Sequence, residues 1–459
     1  MYFICDEQTE QEMMEPKRNM EIERSMSYFY FIAFVVALGG GLYGYDTAVI
    51  SGTISMVVNQ FHLTASMEGT YVGCALFGSI VGVLGSGLLE GVGRKRALIL
   101  SSILYTVSAV GCTVSNSFAA LVLYRVVGGI GIGISAVVAP AYISEIAPAR
   151  HRGRLVSLYQ LAITVGFLAA YVVNYFLLEY AQTADGIREG LFAKVFVDEC
   201  WRGMLFAETL PAVAFIVLLL FIPESPVWLS MRGNGKRSLL AELKTVSRPP
   251  IRKAVLIGAA IAILGQFMGV NAVLYYGPSI FEESGLASGD SLFYQVLVGL
   301  VNVVTTLIAF FIIDRVGRKR LVYFGVTGMI VTLLGIAWYF QFGRALSSYI
   351  LLVFFLLYIF FCAISICAVI FVLLSEMFPS RVRGIAMSIA EFSLWIGTWL
   401  IGQLTPVLLE TLRPQGTFLL FAVICVPYML IVWKLIPETT GKSLEEIEAY
   451  WYAHKAESR

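Results

Sequence analysis

Apolar runs of about 20 residues recur along this chain, and they restrict its fold more than any other feature. Each run is long enough to cross about 30 Å of hydrocarbon as an α-helix. The chain is 58% hydrophobic and only 14% charged, whereas soluble domains are about a quarter charged. The sequence therefore predicts an all-α membrane protein with twelve transmembrane helices. These predicted spans lie near residues 28–50, 68–89, 97–116, 119–143, 155–178, 201–222, 254–281, 291–313, 321–341, 349–374, 384–409 and 416–436.

Positive charges in the connecting loops predict the orientation of these helices. Lys and Arg collect in the loops after the second, fourth, sixth, eighth and tenth spans, whereas loops 51–67, 115–118 and 282–290 contain neither residue. Lys and Arg are enriched in the cytoplasmic loops of membrane proteins. We therefore expect both termini in the cytoplasm and the protein in the cytoplasmic (inner) or plasma membrane. The net charge of +1 gives no basic surface for a nucleic-acid partner.

Three sequence motifs occur twice, about half a chain apart, which indicates a duplicated unit of six helices. The repeated pairs are GRKR at 93–96 and 317–320, SEIAPARHRG at 144–153 with SEMFPSRVRG at 375–384, and, more weakly, PESP at 223–226 with PETT at 437–440. The predicted organisation is a cytoplasmic N-terminal tail without regular structure (1–25), a six-helix bundle (26–226), a cytoplasmic linker with short helices (227–252), a second six-helix bundle (253–440) and a cytoplasmic C-terminal tail (441–459).

Arg125 and Asp46 are charged residues inside apolar spans, where an unpaired charge costs several kcal/mol. Arg125 opens the apolar run YRVVGGIGIGIS, and Asp46 lies in GGGLYGYDTAVISG. We predict that they pair between the first and fourth spans. Burial favours the neutral acid and a nearby guanidinium favours the charged one. The pair could therefore bind and release a proton, or it could be a fixed tie between two helices. Glycines in GGIGIG are better explained by close helix packing than by a dinucleotide site, because no strand precedes them.

Several motifs together resemble the sugar porter family of the major facilitator superfamily. They are the two GRKR loops, the two SE…P…RG loops, PESP, GGGLYGYDTAVISG and QFMGVNAVLYYGP at 266–278. The resemblance covers nearly all of the chain from about Gly39 to Leu444. It implies two six-helix bundles with a substrate site near the middle of the membrane. It also implies a transporter rather than an enzyme, with a monosaccharide and a proton as partners, no cofactor or metal, and a monomeric state.

The resemblance also assigns the acids and the arginine of the spans. Asp46 and Arg125 match the coupling pair of bacterial sugar–proton symporters, and Glu208 matches a further carboxylate in the sixth span. Facilitative sugar carriers of the same family generally lack the first of these acids. The leading hypothesis is therefore a secondary active transporter that carries a hexose or pentose with a proton by alternating access. A facilitative uniporter, a polyol or inositol transporter and, less favoured, a transporter-like sensor are the alternatives.

Sugars are bound through hydroxyl hydrogen bonds and apolar ring faces. Buried uncharged amides in the spans are therefore candidate contacts, although any single one usually ties two helices together. In a continuous helix Gln266 and Asn271 would be separated by about 7.5 Å. By resemblance, the substrate-binding residues are Gln160, Gln266, Asn271, Tyr275, Asn302, Phe371 and Trp395. The chain departs from the family pattern at Gly265, Cys367, Ala368, Phe371 and Leu394, which replace a Gln, a Gly-Pro pair, a Trp and a polar residue.

Charged residues at the predicted cytoplasmic ends could form ion pairs between helix ends. The resemblance assigns them to a cytoplasmic gate, and the alternative is a signal for membrane topology without a gating role. The gate candidates are Arg94, Glu145, Arg152, Glu224, Arg318, Glu376 and Arg383. Glu391 stands apart, because it lies about 12 Å into the eleventh span. We expect it to reach back to a basic loop, with a polar cavity as the alternative.

Overall fold

The structure is a computed structural model. It describes residues 4–148, 152–183, 190–231, 246, 249–343, 346–378, 382–436, 438 and 446, and every regular element in them is helical. The α-helices are α1 Ile4–Phe61, α2 Ala65–Ser86, α3 Arg94–Val114, α4 Phe118–Ile146, α5 Arg152–Thr183, α6 Leu191–Ala193, α7 Cys200–Phe206, α8 Thr209–Leu220, α9 Pro226–Met231, α10 Pro249–Phe267, α11 Val270–Glu283, α12 Ser288–Val316, α13 Arg318–Phe342, α14 Ser348–Cys362, α15 Ala368–Met377 and α16 Arg383–Leu435.

Eleven segments of the described chain are long and apolar enough to cross a membrane. The difference from the twelve predicted spans lies in α16, which contains both the eleventh and the twelfth. Arg413 breaks this helix with φ 59° and ψ 167°. Pro414 follows, and a proline disfavours the helical conformation of the residue before it. The break therefore falls between the two predicted spans.

Three other spans are interrupted near their middle. Gly269 separates α10 from α11 with φ 95°, a left-handed conformation that glycine adopts without steric cost. A turn at Ala207 and Glu208 separates α7 from α8, and a π-helical turn at Ala363–Cys367 separates α14 from α15. In transporters, discontinuous helices commonly lie at the substrate and ion sites. The interruptions therefore mark the level at which a site is expected.

The structure describes most of the predicted N-terminal tail but little of the predicted C-terminal tail. The expectation of an irregular tail over 1–25 is wrong for residues 4–25, because α1 begins at Ile4 and is continuous into the first span. Most of the predicted linker and C-terminal tail lies outside the described residues.

Glycines bring helices of the first bundle into backbone contact. A Cβ atom at Gly129 would lie 2.0 Å from the carbonyl oxygen of Ala75, and one at Gly133 would lie 2.1 Å from that of Ser79. Small residues allow this close approach between membrane helices. The GGIGIG motif thus packs α4 against α2, as predicted.

The helices form two halves, the first half with α1–α9 and the second half with α10–α16. The end of the molecule at which the GRKR loops lie is called the basic end. The halves meet through α1 with α11, α2 with α16 and α5 with α12. Away from the basic end, Ser55 Oγ donates a hydrogen bond to Glu282 Oε2 over 2.7 Å, and Gln403 Nε2 donates to Thr70 Oγ1 over 3.2 Å. The halves are therefore joined towards the end opposite the basic loops.

Candidate functional site

Asp46 on α1 and Arg125 on α4 form a buried ion pair. Asp46 is 0% exposed and Arg125 is 1% exposed. Arg125 Nη1 donates a hydrogen bond to Asp46 Oδ1, and Arg125 Nη2 donates to the Asp46 backbone oxygen over 3.1 Å. The structure thus brings together the two residues expected to meet. Taking two charges out of water is expensive, and good pairing geometry offsets the cost.

The glycine-rich sequence of α4 makes room for this pair. Gly128 lies three residues after Arg125, on the same side of the helix. A Cβ atom at Gly128 would lie 3.2 Å from Asp46 Oδ2 and 2.5 Å from Ser108 Oγ. The absence of a side chain at Gly128 therefore lets the Asp46 carboxylate lie close to the α4 backbone.

Glu208 places a second buried carboxyl group beside the pair. It lies in the turn between α7 and α8, is 1% exposed, and interacts with the Asp46 carboxyl group. Among the described residues, Asp46 Oδ2 and Glu208 Oε1 have no hydrogen-bond partner. Two ionised carboxylates have only acceptors to offer each other. One proton between them would supply the missing donor.

Gln266 and Asn271 are bonded to each other across the break at Gly269. Asn271 Nδ2 donates to Gln266 Oε1 over 2.7 Å, and Thr398 Oγ1 donates to the same oxygen over 3.1 Å. The helix between them is not continuous, because Gly269 interrupts it. Sequence reasoning missed Thr398. Its position three residues after Trp395, on the same helix face, is the signal that could have found it.

Two amides of the predicted sugar site have no partner within the described chain. Gln160 on α5 is half-buried and Asn302 on α12 is 7% exposed. Neither side chain makes a hydrogen bond to a described residue, unlike Gln266 and Asn271. Both amides keep donors and acceptors that a polar ligand could use.

Aromatic side chains join the halves near the same level. The ring centroids of Tyr43 on α1 and Trp395 on α16 are 5.5 Å apart, and Tyr275 is 2% exposed. Tyr43 was not among the predicted site residues. Phe371 lies on α15, and its side chain is outside the described part of the structure.

At the basic end, four of the gate candidates form two ion pairs. Arg94 Nη2 lies 2.9 Å from Glu145 Oε1, and Arg318 Nη2 lies 2.8 Å from Glu376 Oε1. Each pair joins two helices of the same half.

The remaining gate candidates make different contacts. Glu224 Oε1 accepts hydrogen bonds from the backbone amides of Lys95 and Ser225. Arg383 Nη2 donates to the Phe378 backbone oxygen over 3.4 Å. The side chain of Arg152 lies outside the described residues.

Glu391 faces the other half of the protein. It is half-buried on α16 and interacts electrostatically with Tyr43 on α1 and Tyr159 on α5. Among the described residues it forms no ion pair, so the expectation that it reaches back to a basic loop finds no support there. The alternative, a position in a polar site between the halves, agrees with these contacts.

A family model described as "Sugar (and other) transporter" matches residues 32–247 and 236–451, which together cover most of the chain. This chain belongs to the sugar porter family of the major facilitator superfamily. It is therefore a sugar transporter and an integral multi-pass membrane protein, and not an enzyme. The predicted fold, an all-helical membrane protein of the major facilitator type, is confirmed, and the cytoplasmic position of the termini stays a prediction.

Curated relatives and solved structures of sugar porters match over almost their whole length. The chain is 35% identical to the arabinose-proton symporter of Bacillus subtilis, over 95% of this chain and 98% of that protein. It is 37% identical to the glucose transporter GlcP of Staphylococcus epidermidis, over 91% and 96%. The inward open structure of the xylose transporter XylE from E. coli matches with a TM-score of 0.78 at 32% identity, over 92% of this chain and 100% of that one.

Proposed function

We propose that this sugar porter is a secondary active transporter that carries a hexose or pentose together with a proton. The observation that supports the proposal best is the cluster of two buried carboxyl groups, Asp46 and Glu208, with one guanidinium, Arg125. Relatives named as proton symporters of arabinose and xylose agree with it. The coupling ion is the proton, and the basic end faces the cytoplasm of a cell whose inner or plasma membrane holds the protein.

Coupling depends on whether Arg125 remains against Asp46. An ionised carboxylate that loses its guanidinium partner in an apolar site is far less stable than a protonated one. Movement of α4 relative to α1 would therefore bind or release one proton, with Glu208 as the neighbouring acceptor. A proton bound in one orientation of the transporter and released in the other links its gradient to the movement of the sugar.

The sugar site lies between the halves in this proposal. Asn302 and Gln160 offer unpaired amides, Gln266 and Asn271 offer a bonded pair, and the rings of Tyr275, Phe371 and Trp395 supply apolar faces. The charged residues at the basic end, from Arg94 and Glu145 to Arg318 and Glu376, act as the cytoplasmic gate. Alternating access exchanges which end of this site is open.

A facilitative uniporter is the second candidate, and the relative named as the glucose transporter GlcP favours keeping it. Uniport moves sugar without a proton. Addition of sugar to energy-depleted cells expressing the protein separates the two, because only a symporter makes the medium more alkaline as protons enter with the sugar.

The decisive experiment replaces Asp46→Asn in proteoliposomes. We expect concentrative uptake driven by a pH gradient to fall by about a hundredfold. This is the lower end of the range for the loss of a group that transfers a proton. Exchange of labelled for unlabelled sugar should persist, because the sugar site is intact. Asp290→Asn, the same chemical change at the exposed start of α12, should leave uptake unchanged. Concentrative uptake by Asp46→Asn would contradict the proposal.

A further inference from the structure

Eight buried polar atoms in the first half have no hydrogen-bond partner among the described residues. Five of them are Asp46 Oδ2, Glu208 Oε1, Tyr105 Oη, Ser135 Oγ and Tyr159 Oη. Tyr105 and Ser135 are 0% exposed and Tyr159 is 7% exposed. An unsatisfied buried polar group costs about 1–3 kcal/mol. These five atoms belong to neighbouring side chains and need a common explanation.

These groups are neighbours. Tyr105 on α3 interacts with Asp46, Glu208 and the side chain of Ser135 on α4, although no direct hydrogen bond joins it to Ser135. Ser135 interacts in the same way with Tyr159 on α5. The hydroxyls of Tyr105, Ser135 and Tyr159 therefore form a series, called here the polar row, that starts at the two buried acids.

Two glycines of α1 create the space for the polar row. A Cβ atom at Gly39 would lie 2.6 Å from Ser135 Oγ, and one at Gly40 would lie 2.9 Å from the ring of Tyr159. Asp46 lies seven residues further along α1 than Gly39, an axial distance of about 10 Å. The polar row therefore extends from Asp46 towards the basic end.

The polar row ends with Tyr159 at the interface between the halves. Tyr159 interacts electrostatically with Tyr43 on α1 and Glu391 on α16. Glu391 lies eight residues after Arg383, the start of α16, and thus about 12 Å from the basic end. It is half-buried and has no ion pair or hydrogen bond within the described chain. The polar row thus connects the buried acids with a partly exposed carboxylate on the other half.

We propose that the polar row is a proton path between the Asp46–Glu208 site and Glu391, through which the coupled proton leaves towards the basic end. Each hydroxyl accepts a proton on its oxygen from one neighbour and passes its own proton to the next, with water completing the bonds. One proton enters the row for each that leaves, so nothing is oxidised or consumed. The proposal rests on the proposed proton symport.

The test removes single hydroxyls and keeps the rings. In proteoliposomes, Tyr105→Phe and Tyr159→Phe should each slow proton-driven sugar uptake about tenfold, the effect of losing one hydrogen bond from a rate-limiting step. Sugar exchange, which needs no net proton movement, should be unchanged and also shows that the variants fold. Tyr349→Phe, at a 67% exposed tyrosine on α14, is the matched control and should leave both activities unchanged.

Three outcomes are distinguishable. If wild-type protein produces no sugar-dependent proton uptake, both the symport and the path are overturned. If wild-type protein couples and Asp46→Asn does not, while both tyrosine variants take up sugar at the wild-type rate, the path alone is overturned. Slow proton-driven uptake with normal exchange in Tyr105→Phe and Tyr159→Phe supports the path.

Discussion

At the scale of single residues, the buried ion pair between Asp46 and Arg125 is the place where a single substitution is most costly. Both side chains are almost completely buried, so neither can exchange its partner for water. Removing one partner of a buried pair is far more costly than removing both, because it leaves an uncompensated charge. Arg125 keeps one bond to the Asp46 backbone oxygen when the carboxylate is lost, whereas Asp46 keeps no comparable donor when Arg125 is lost.

We therefore expect Arg125→Gln to lower the free energy of unfolding by about 3–5 kcal/mol. Denaturant unfolding of the purified protein in detergent measures this change. Arg96→Gln, at an exposed position of the first GRKR loop, should stay within about 0.5 kcal/mol of wild type. Asp46→Asn combined with Arg125→Gln should recover part of the loss. A double variant as unstable as the sum of both single changes would show that the two charges do not interact.

The ion pair between Asp46 and Arg125 could be predicted because charged residues are scarce inside the spans. Few other residues could therefore have paired with Arg125. The bond between Gln266 and Asn271 could not be predicted, because the left-handed turn at Gly269 leaves no clear mark in an apolar span. The polar row, which includes the hydroxyls of Tyr105 and Ser135, could not be predicted from the sequence either. Hydroxyl groups in membrane helices often bond to their own backbone, as Thr47 does to Tyr43, and only three-dimensional packing shows which do not.

At the scale of helices, length and hydropathy were enough to predict nearly every span, while the interruptions within spans were not predictable. The GGIGIG glycines were correctly attributed to packing. Their effect is to remove the side-chain layer between α4 and α2. The distance from the Gly129 Cβ position to the Ala75 oxygen shows that even a methyl group does not fit without movement of a backbone.

Gly129→Ala should accordingly destabilise the first half by about 1–3 kcal/mol, the usual cost of overpacking. Gly85→Ala is the matched control, because a Cβ atom at Gly85 on α2 would meet nothing within 4 Å. Thermal unfolding in detergent, followed by the loss of monodisperse protein on size exclusion, compares the two. Equal midpoints for both variants would contradict the packing argument.

At the scale of the whole molecule, the two halves are joined away from the basic end, and the contact of Ser55 with Glu282 is one such point. Alternating access requires these contacts to open in each cycle. The repeat of the motifs predicted two halves, but it could not predict which end would be joined. That depends on a small difference in free energy between two arrangements of the same surfaces.

Ser55→Cys combined with Glu282→Cys should therefore give a protein that a short dithiol-reactive cross-linker inactivates. We expect net sugar transport to fall by about tenfold or more, because a linked pair removes one of the two states. Both single-cysteine variants, treated in the same way, should keep their activity. Full transport by the cross-linked double variant would show that this end does not need to open.

The two ion pairs at the basic end have a consequence for inhibition. Arg94 with Glu145 and Arg318 with Glu376 each lie within one half, so in this arrangement neither pair holds the halves together. In the proposed gate these charged ends meet across the halves in the other state, so a binder that covers one pair favours the state in which they are apart. Such a binder would arrest transport from the basic side without touching both halves.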